Sequence, residues 1–447
     1  MFFLAVRSVR QRPGRLLATL LSAFLGALIV MTFGSLHDTA AAPGVDAVSS
    51  ESLSVSASVV GGYGALLVFF AIASTLTVNV RQRAEEMSLL RRTGATPAQI
   101  GRMVVGEATA VALAATVLAT GPAVLGGRLL LGLFQDSGQV AGDVRPAFGV
   151  LALASGFGIV LLASAGAAFL AVRRATRAAG ADGRTRGRDR ARALAGAAAV
   201  AAGIGGVLAT YAMDGTEQTL MAFPAYGAVL LSVGLAVLAP AALGRLLKPS
   251  RGPLDRIAGA GGYLAARNLR SRGGELSGVL TPMIVFVGMA TATLYIQAVE
   301  SDWIAATGQA KTVGDKNLET VNLVVVGVIV VFSCVMLVNS LYAATSYRRG
   351  EFGRQRLAGA TPAQVLGTVG CEAVILVLTG LVLGSAAGVA GVIPFTMVRT
   401  GQVLPGEGPG TWLAVAAVAV AATLGTTLTT ARRALRAPAV DAVAVAA

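Results

Sequence analysis

Two glutamates stand out because the long apolar stretches of this chain contain no other Asp, Glu, Lys, Arg or His residue. Glu107 and Glu372 each lie where such a stretch begins, and they are 265 residues apart. A carboxylate buried in a membrane is a candidate for proton transfer. A carboxylate at the membrane edge instead forms a salt bridge or stabilises a helix N-terminus. Their position at the edge favours the second interpretation, and the first stays open.

Residues for other kinds of chemistry are scarce. The chain has a single histidine, His37, and its two cysteines have no metal-ligand spacing. None of its three lysines follows the glycine-rich pattern of a phosphate-binding loop. No nucleophile lies in a recognisable pattern with a general base. The sequence therefore predicts a protein that is not an enzyme by itself, with no catalytic residue, metal site or bound cofactor.

The composition is that of a membrane protein, with 55% hydrophobic and 13% charged residues. Ten apolar runs are each long enough to cross about 30 Å of hydrocarbon as a helix. Helices satisfy their own backbone hydrogen bonds, as the bilayer interior requires. The predicted fold is an all-α polytopic membrane protein with about ten transmembrane helices, at residues 16–36, 59–80, 104–126, 147–172, 194–213, 220–243, 277–298, 320–346, 370–395 and 411–431.

Basic residues set the expected orientation. Of the 36 Lys and Arg residues, 31 lie in the two chain ends and the even-numbered loops. Positive charge is retained on the cytoplasmic side, so both termini are expected in the cytoplasm. The charges flank membrane spans and favour anionic lipid head groups over nucleic acid as their partner.

The chain contains a long internal repeat. GATPAQ occurs at Gly94–Gln99 and at Gly359–Gln364, and LAVRSVRQRPG at 4–14 is matched by LAARNLRSRGG at 264–274. These basic segments are expected to be interfacial helices or plain topogenic charge. Two tandem four-helix units of the same topology follow, related by a pseudo-twofold axis. The expected domains are 1–178, an Arg-rich linker with two extra helices at 179–262, and 263–447.

Each GATPAQ copy predicts a sharp corner between two helices. Gly94 supplies the left-handed residue that ends the first helix. Thr96 is a good N-cap, Pro97 suits the first helical position, and Gln99 completes a capping box. The second copy repeats the arrangement with Gly359, Thr361, Pro362 and Gln364. We call residues 93–99 the first corner and 358–364 the second corner. Each is either a partner-docking element or only a structural corner.

The order of these features resembles FtsX-like permeases, the membrane subunits of type VII ABC transporter systems that include the MacB- and LolCDE-like machines. The resemblance covers 1–178 and 263–437. It implies that a coupling helix in each repeated loop docks onto a separate ATPase. Carried over to this sequence, that role falls on Glu86, Gly94, Ala95, Thr96, Pro97, Gln99, Glu351, Gly359, Ala360, Thr361, Pro362 and Gln364.

The partner implied is an ABC ATPase, expected as a homodimer with two copies per chain, which would use ATP and Mg. The resemblance also implies a multi-pass location in a bacterial cell membrane. The segments expected outside, 37–58 and 299–319, are too short for a large extracytoplasmic domain. We therefore expect export or extraction of a hydrophobic or amphiphilic cargo: a drug, antibiotic, peptide or lipid.

Two other functions stay open. A non-transporting FtsX-type permease would signal to cell-wall enzymes, although short outer segments leave little surface for that. A secondary transporter usually needs ionisable or broken-helix sites near the midplane, and apart from the interfacial Glu107 and Glu372 the spans contain no Asp, Glu, Lys, Arg or His. A glycine stripe, Gly380, Gly384 and Gly388, indicates close helix contact, either at a moving seam between the units or in ordinary packing.

Overall fold

The computed structural model describes residues 13–82, 84–136, 138–178, 185–215, 218–246, 251–271, 273–307 and 348–444, together with single residues between 327 and 345. Within these residues all regular structure is helical and no β-strand is present. The predicted all-α class is confirmed.

The helices follow the repeat. The first part of the chain contains α1 (Pro13–Ala40), α2 (Ala47–Gln82), α3 (Ala84–Arg92), α4 (Pro97–Asp136) and α5 (Val150–Ala178). The middle contains α6 (Thr185–Ala209), α7 (Ala222–Leu246) and α8 (Arg251–Ser271). The last part contains α9 (Gly273–Ala306), α10 (Arg349–Leu357), α11 (Pro362–Thr400), α12 (Gly410–Leu435) and α13 (Ala439–Ala444).

Eight helices of the described chain are long and apolar enough to cross a membrane. They correspond to eight of the ten predicted spans. The second predicted span, 59–80, lies within α2, where many side chains are outside the described set. The eighth, 320–346, lies largely outside the described residues. The chain is therefore a polytopic membrane protein.

The structure divides into two compact units, Met1–Arg184 with Gly308–Met336, and Thr185–Thr307 with Leu337–Ala447. In the first, α1 and α5 each pack against α2 and α4. In the second, α9 packs against α7, α11 and α12. The first helix of each four-helix repeat, α1 or α9, is the most buried of the candidate spans in its unit.

The extra helix pair belongs to the second compact unit. Helices α6 and α7 pack closely on each other, and α7 packs on α9 and α11. Glycines allow this approach: a Cβ at Gly203 would lie 2.7 Å from the backbone nitrogen of Leu231. The sequence alone indicates an inserted pair without assigning it to either unit.

Two helices are much longer than a membrane requires. Helix α4 has 40 residues and α11 has 39, so each is about 60 Å long at 1.5 Å per residue. The outer segment 37–58 is itself mostly helix, because α1 continues to Ala40 and α2 begins at Ala47. Gly44, with φ +87°, lies in the turn between them.

Asp38 joins the ends of α1 and α5 in the first unit. Its carboxylate accepts hydrogen bonds from the backbone N–H groups of Gly149 at 2.8 Å, Ala152 at 2.9 Å and Leu151 at 3.1 Å. These donors lie at the start of α5, where no intrahelical acceptor exists.

Replacing Asp38 by alanine is expected to destabilise the first unit by about 1–2 kcal/mol, the usual cost of losing a helix cap. Thermal unfolding of the detergent-purified protein measures the effect. Asp143→Ala is the matched control, because Asp143 lies exposed in the loop before the same helix. Equal melting temperatures for the two variants would contradict a capping role for Asp38.

Candidate functional site

The two corners have the same backbone hydrogen bonds. In the first, the Gly94 N–H donates to Arg91 O at 3.1 Å and the Ala95 N–H to Leu90 O at 2.9 Å. In the second, Gly359 donates to Arg356 O and Ala360 to Gln355 O, both at 3.0 Å. This pair of bonds is the Schellman motif that ends a helix.

The glycines are required by this backbone. Gly94 has φ +99° and Gly359 has φ +96°, in the left-handed region that other residues rarely adopt. The predicted left-handed glycine is confirmed at both corners.

The predicted capping boxes are also confirmed. The Thr96 N–H donates to Gln99 Oε1 at 2.9 Å, and the Gln99 N–H donates to Thr96 Oγ1 at 3.3 Å. Thr361 and Gln364 make the same two bonds at the same distances. Each corner thus ends one helix and starts the next with its backbone groups satisfied, so it forms a rigid turn.

Both corners are open to solvent. In the first, residues 93, 94, 96, 98 and 99 are exposed, and in the second, residues 358, 359 and 361–364. Ile100 and Val365, one residue beyond each capping box, are buried. The corner tips therefore present a surface, while the helices behind them are anchored in the bundle.

Glu372 lies in a buried ion pair. The guanidinium of Arg348 reaches it with two nitrogens: Nη2 lies 2.9 Å from Oε1, and Nη1 donates to Oε2. Asn268 Nδ2 in α8 donates to the same Oε1 at 2.8 Å. The Arg348 and Glu372 side chains are only 8% and 9% exposed. Glu372 is thus engaged by two partners that come from different elements.

Arg348 also holds the helix that leads into the second corner. Its Nε lies 3.1 Å from Glu351 Oε2, and the guanidinium lies over the Phe352 ring, 5.1 Å from its centroid. Burial alone would lower the pKa of Arg348, but the carboxylates of Glu372 and Glu351 offset this and raise its pKa above the usual value. The charged guanidinium therefore joins α10 to α11.

The first unit has a buried carboxylate at the corresponding position. Glu107 in α4 is 4% exposed and has interaction partners. The repeat offset of 265 makes Arg83 the counterpart of Arg348, and Arg83 lies outside the described residues. Glu86 lies in α3, and its side chain is also outside the described set. Its counterpart Glu351 is a half-buried partner of Arg348.

The second corner is braced by the C-terminal segment. Arg356 Nη1 donates to Leu435 O at 3.1 Å and to Ala437 O at 2.7 Å, and α10 packs along α13. An apolar cluster joins α10 to α11 and α12, made of Phe352, Val365, Val369, Ala431, Ala434 and Leu435. The end of the chain thus fixes the position of α10.

Helix α11 is fixed at its other end too. Arg399 pairs with Glu300 of α9, with Nε 2.8 Å from Oε2, and donates through Nη1 to Gly215 O. The Arg399 guanidinium also lies 3.9 Å from the ring centroid of Trp303. Charged side chains therefore anchor both ends of this 39-residue helix.

Sequence reasoning missed Arg348, Asn268 and Arg356 as site residues. Their partners lie 24 to 104 residues away along the chain, whereas the corner bonds join residues three to five apart. One signal was available: Arg83 and Arg348 obey the same repeat offset as the two corners.

Comparison with known protein families gives one match. A model described as FtsX-like permease C-terminal matches the chain twice, at residues 58–179 and 323–439. Together the segments cover more than half of the 447 residues. Each segment includes one corner and the glutamate that follows it. No curated protein gives a match.

Proposed function

The chain belongs to the FtsX-like permease family, and from this premise we propose that it is the membrane subunit of an ABC transporter of the MacB-like, type VII class. A separate ATPase docks on the two corners and uses ATP and Mg there. Its hydrolysis drives export or extraction of a hydrophobic or amphiphilic cargo from the membrane.

One observation carries this proposal: a rigid, exposed corner is built twice from the same residues with the same hydrogen bonds. A corner that only connected helices could use many sequences. Two equivalent docking elements suit a partner that is itself a pair of identical subunits.

The helices behind the corners suit force transmission. Helix α4 runs continuously from Pro97 to Asp136 and α11 from Pro362 to Thr400, with one internal proline each, Pro122 and Pro394. The Arg348 network ties α11 to the helix before the corner. Displacement of the second corner by a partner would therefore move α11 as a rod.

The remaining parts of the proposal follow from charge. The positive charge of the loops supports a cytoplasmic position for the corners and both termini in a bacterial cell, where an ATPase has access to nucleotide. Anionic lipid head groups neutralise the other basic residues.

Replacing both Ala98 and Ala363 by glutamate tests the docking role. Each residue is exposed in the first turn of its helix, where a carboxylate favours folding through the dipole. We expect the double variant to lose recovery of a P-loop ATPase, and its cargo-stimulated hydrolysis, while its membrane insertion and melting temperature stay at the wild-type values. Affinity purification in nanodiscs with mass spectrometry measures the recovery.

Ala41→Glu with Ala305→Glu is the control, since these exposed residues lie at helix ends remote from the corners and carry the same change of charge. Undiminished ATPase recovery by the Ala98 and Ala363 variant would refute docking at the corners. Recovery of an ATPase together with a cell-wall hydrolase, without cargo-stimulated hydrolysis, would favour the signalling function.

A further inference from the structure

The two corners differ in charge although their backbones match. The first corner is surrounded by exposed arginines and leucines: Leu89 is 61% exposed, Leu90 is 37% exposed, and Arg91, Arg92 and Arg102 are all exposed. The corresponding positions around the second corner are Arg354, Gln355, Arg356, Leu357 and Gly367. One of the three guanidiniums is retained there with another role, and Arg354 adds one exposed guanidinium at the position of Leu89, so the second corner has fewer exposed guanidiniums than the first.

That retained guanidinium is Arg356, the counterpart of Arg91. It is bonded to the carbonyls of Leu435 and Ala437, so it serves the brace of the second corner. Arg91 is exposed, and α3 contacts mainly its chain neighbours α2 and α4. The same residue type is therefore structural in one unit and solvent-facing in the other.

Residues 87–106 contain neither Asp nor Glu, and the same is true of the corresponding residues 352–371. Glu107, the next acidic residue, is buried. An exposed leucine beside exposed arginines is typical of a protein-binding surface with an apolar centre and a charged rim.

We propose that the first docking surface, residues 89–102, selects its partner by charge: the ATPase surface beneath it is lined with carboxylates around an apolar notch. The second corner, held by its brace, docks by shape with a smaller electrostatic contribution. This inference rests on the proposed function. It adds the chemistry of the partner's surface and a difference between the two corners in how much charge contributes to docking.

Protein is favoured over membrane lipid as the occupant because of where the charges lie. The corner precedes the apolar run of α4, which begins near residue 104, by seven residues of helix, or about 10 Å. Arg91 and Arg92 lie at the end of α3, on the far side of the turn. Leu89 is exposed on the same surface, and a leucine held away from the hydrocarbon gains nothing from lipid.

The test compares Arg91→Glu with Arg92→Glu against a matched pair, Arg349→Glu with Arg354→Glu, exposed on the helix before the second corner. Both pairs change the charge by the same amount. Each chain is reconstituted in nanodiscs and titrated with the P-loop ATPase that co-purifies with the wild type. We expect the first pair to weaken binding at low salt by at least about tenfold and to flatten its salt dependence, and the second pair to weaken it by less than about threefold.

The neutral pair Arg91→Gln with Arg92→Gln guards against a folding defect, since glutamate is unfavourable in a last helical turn. It is expected to give a loss between wild type and the glutamate pair. Equal losses at both corners, or a larger loss at the second, would overturn the proposal. So would an effect that vanishes in nanodiscs without anionic lipid, which would assign the arginines to head groups. If the wild-type chain recovers no ATPase at all, the proposed function itself fails.

Discussion

Replacing Arg348 by methionine is expected to destabilise the second unit by about 3–5 kcal/mol, because it leaves two carboxylates without their shared cation in a buried site. Arg348 and Glu372 are each less than one-tenth exposed, and Glu351 lies on the same guanidinium. Methionine keeps the unbranched apolar stem but not the guanidinium, so the loss is mainly electrostatic and includes the contact with the Phe352 ring. Thermal unfolding in detergent measures it.

A double-mutant cycle separates the ion pair from packing. We expect Glu372→Gln alone to be destabilising. The buried Arg348 guanidinium then loses one of its two carboxylate partners and keeps only the contact with Glu351. Arg348→Met with Glu372→Gln is expected to be more stable than the sum of the single changes predicts, because the more buried carboxylate is then neutral and only the partly exposed Glu351 has lost the cation. Additive losses would show that the two groups do not interact energetically.

The cycle has a functional readout as well. If the Arg348 network joins the second corner to α11, Arg348→Met should preserve ATPase binding while reducing cargo-stimulated hydrolysis. Loss of binding together with stimulation would instead place Arg348 within the docking surface. The same cycle with Arg83 and Glu107, at the corresponding positions of the first repeat, tests whether these two residues have a similar interaction energy.

The corners could be predicted from the sequence because their chemistry is local. The left-handed glycine and the reciprocal bonds between threonine and glutamine depend on residues three to five apart, and few residue types fit those positions. Membrane spans were equally accessible, because hydropathy over about 20 residues reports burial in lipid without reference to any tertiary partner.

The ion-pair network and the brace could not be predicted in this way. From the sequence, Arg348 is interpreted as one of the basic residues that set membrane orientation, because it follows the end of a span. The neighbouring sequence gives no reason to expect Arg348 to be buried and Arg349 beside it to be exposed. In the structure Arg348 is buried and Arg349 is exposed. Which apolar face meets which neighbour was also open, as the attachment of α6 and α7 shows, because lipid and protein interiors are similarly apolar.

The glycine stripe of α11 is the second feature with a large expected effect. The structure places it in packing within the second unit, against α9. A Cβ added at Gly384 would lie 2.6 Å from Val287 Cβ and 3.0 Å from Ile284 O, and one at Gly380 would lie 2.7 Å from Met283 Sδ. Because the Ile284 contact is backbone, it cannot be relieved by a change of rotamer.

Replacing Gly384 by valine is therefore expected to destabilise the second unit by at least the ~1–3 kcal/mol usual for overpacking, or to prevent folding. Gly425→Val is the matched control: Gly425 is an exposed glycine of α12, where an added Cβ meets nothing within 4 Å. Thermal unfolding and protease resistance in detergent compare the two.

A compensating pair shows whether the effect is steric. By the repeat offsets, the counterparts of Val287 and Gly384 are Ala27 and Ala119, and both are fully buried. The first unit therefore has two alanines where the second unit has a valine and a glycine. Gly384→Ala is expected to be destabilising alone and to be only partly rescued by Val287→Ala, because that change removes the Cγ1 contact at 2.9 Å and leaves the contacts with Cβ of residue 287 and with Ile284 O. If Gly384→Val is as stable as Gly425→Val, the contact between α9 and α11 is loose. The stripe would then be free for the other role its sequence indicates, a moving seam between the units.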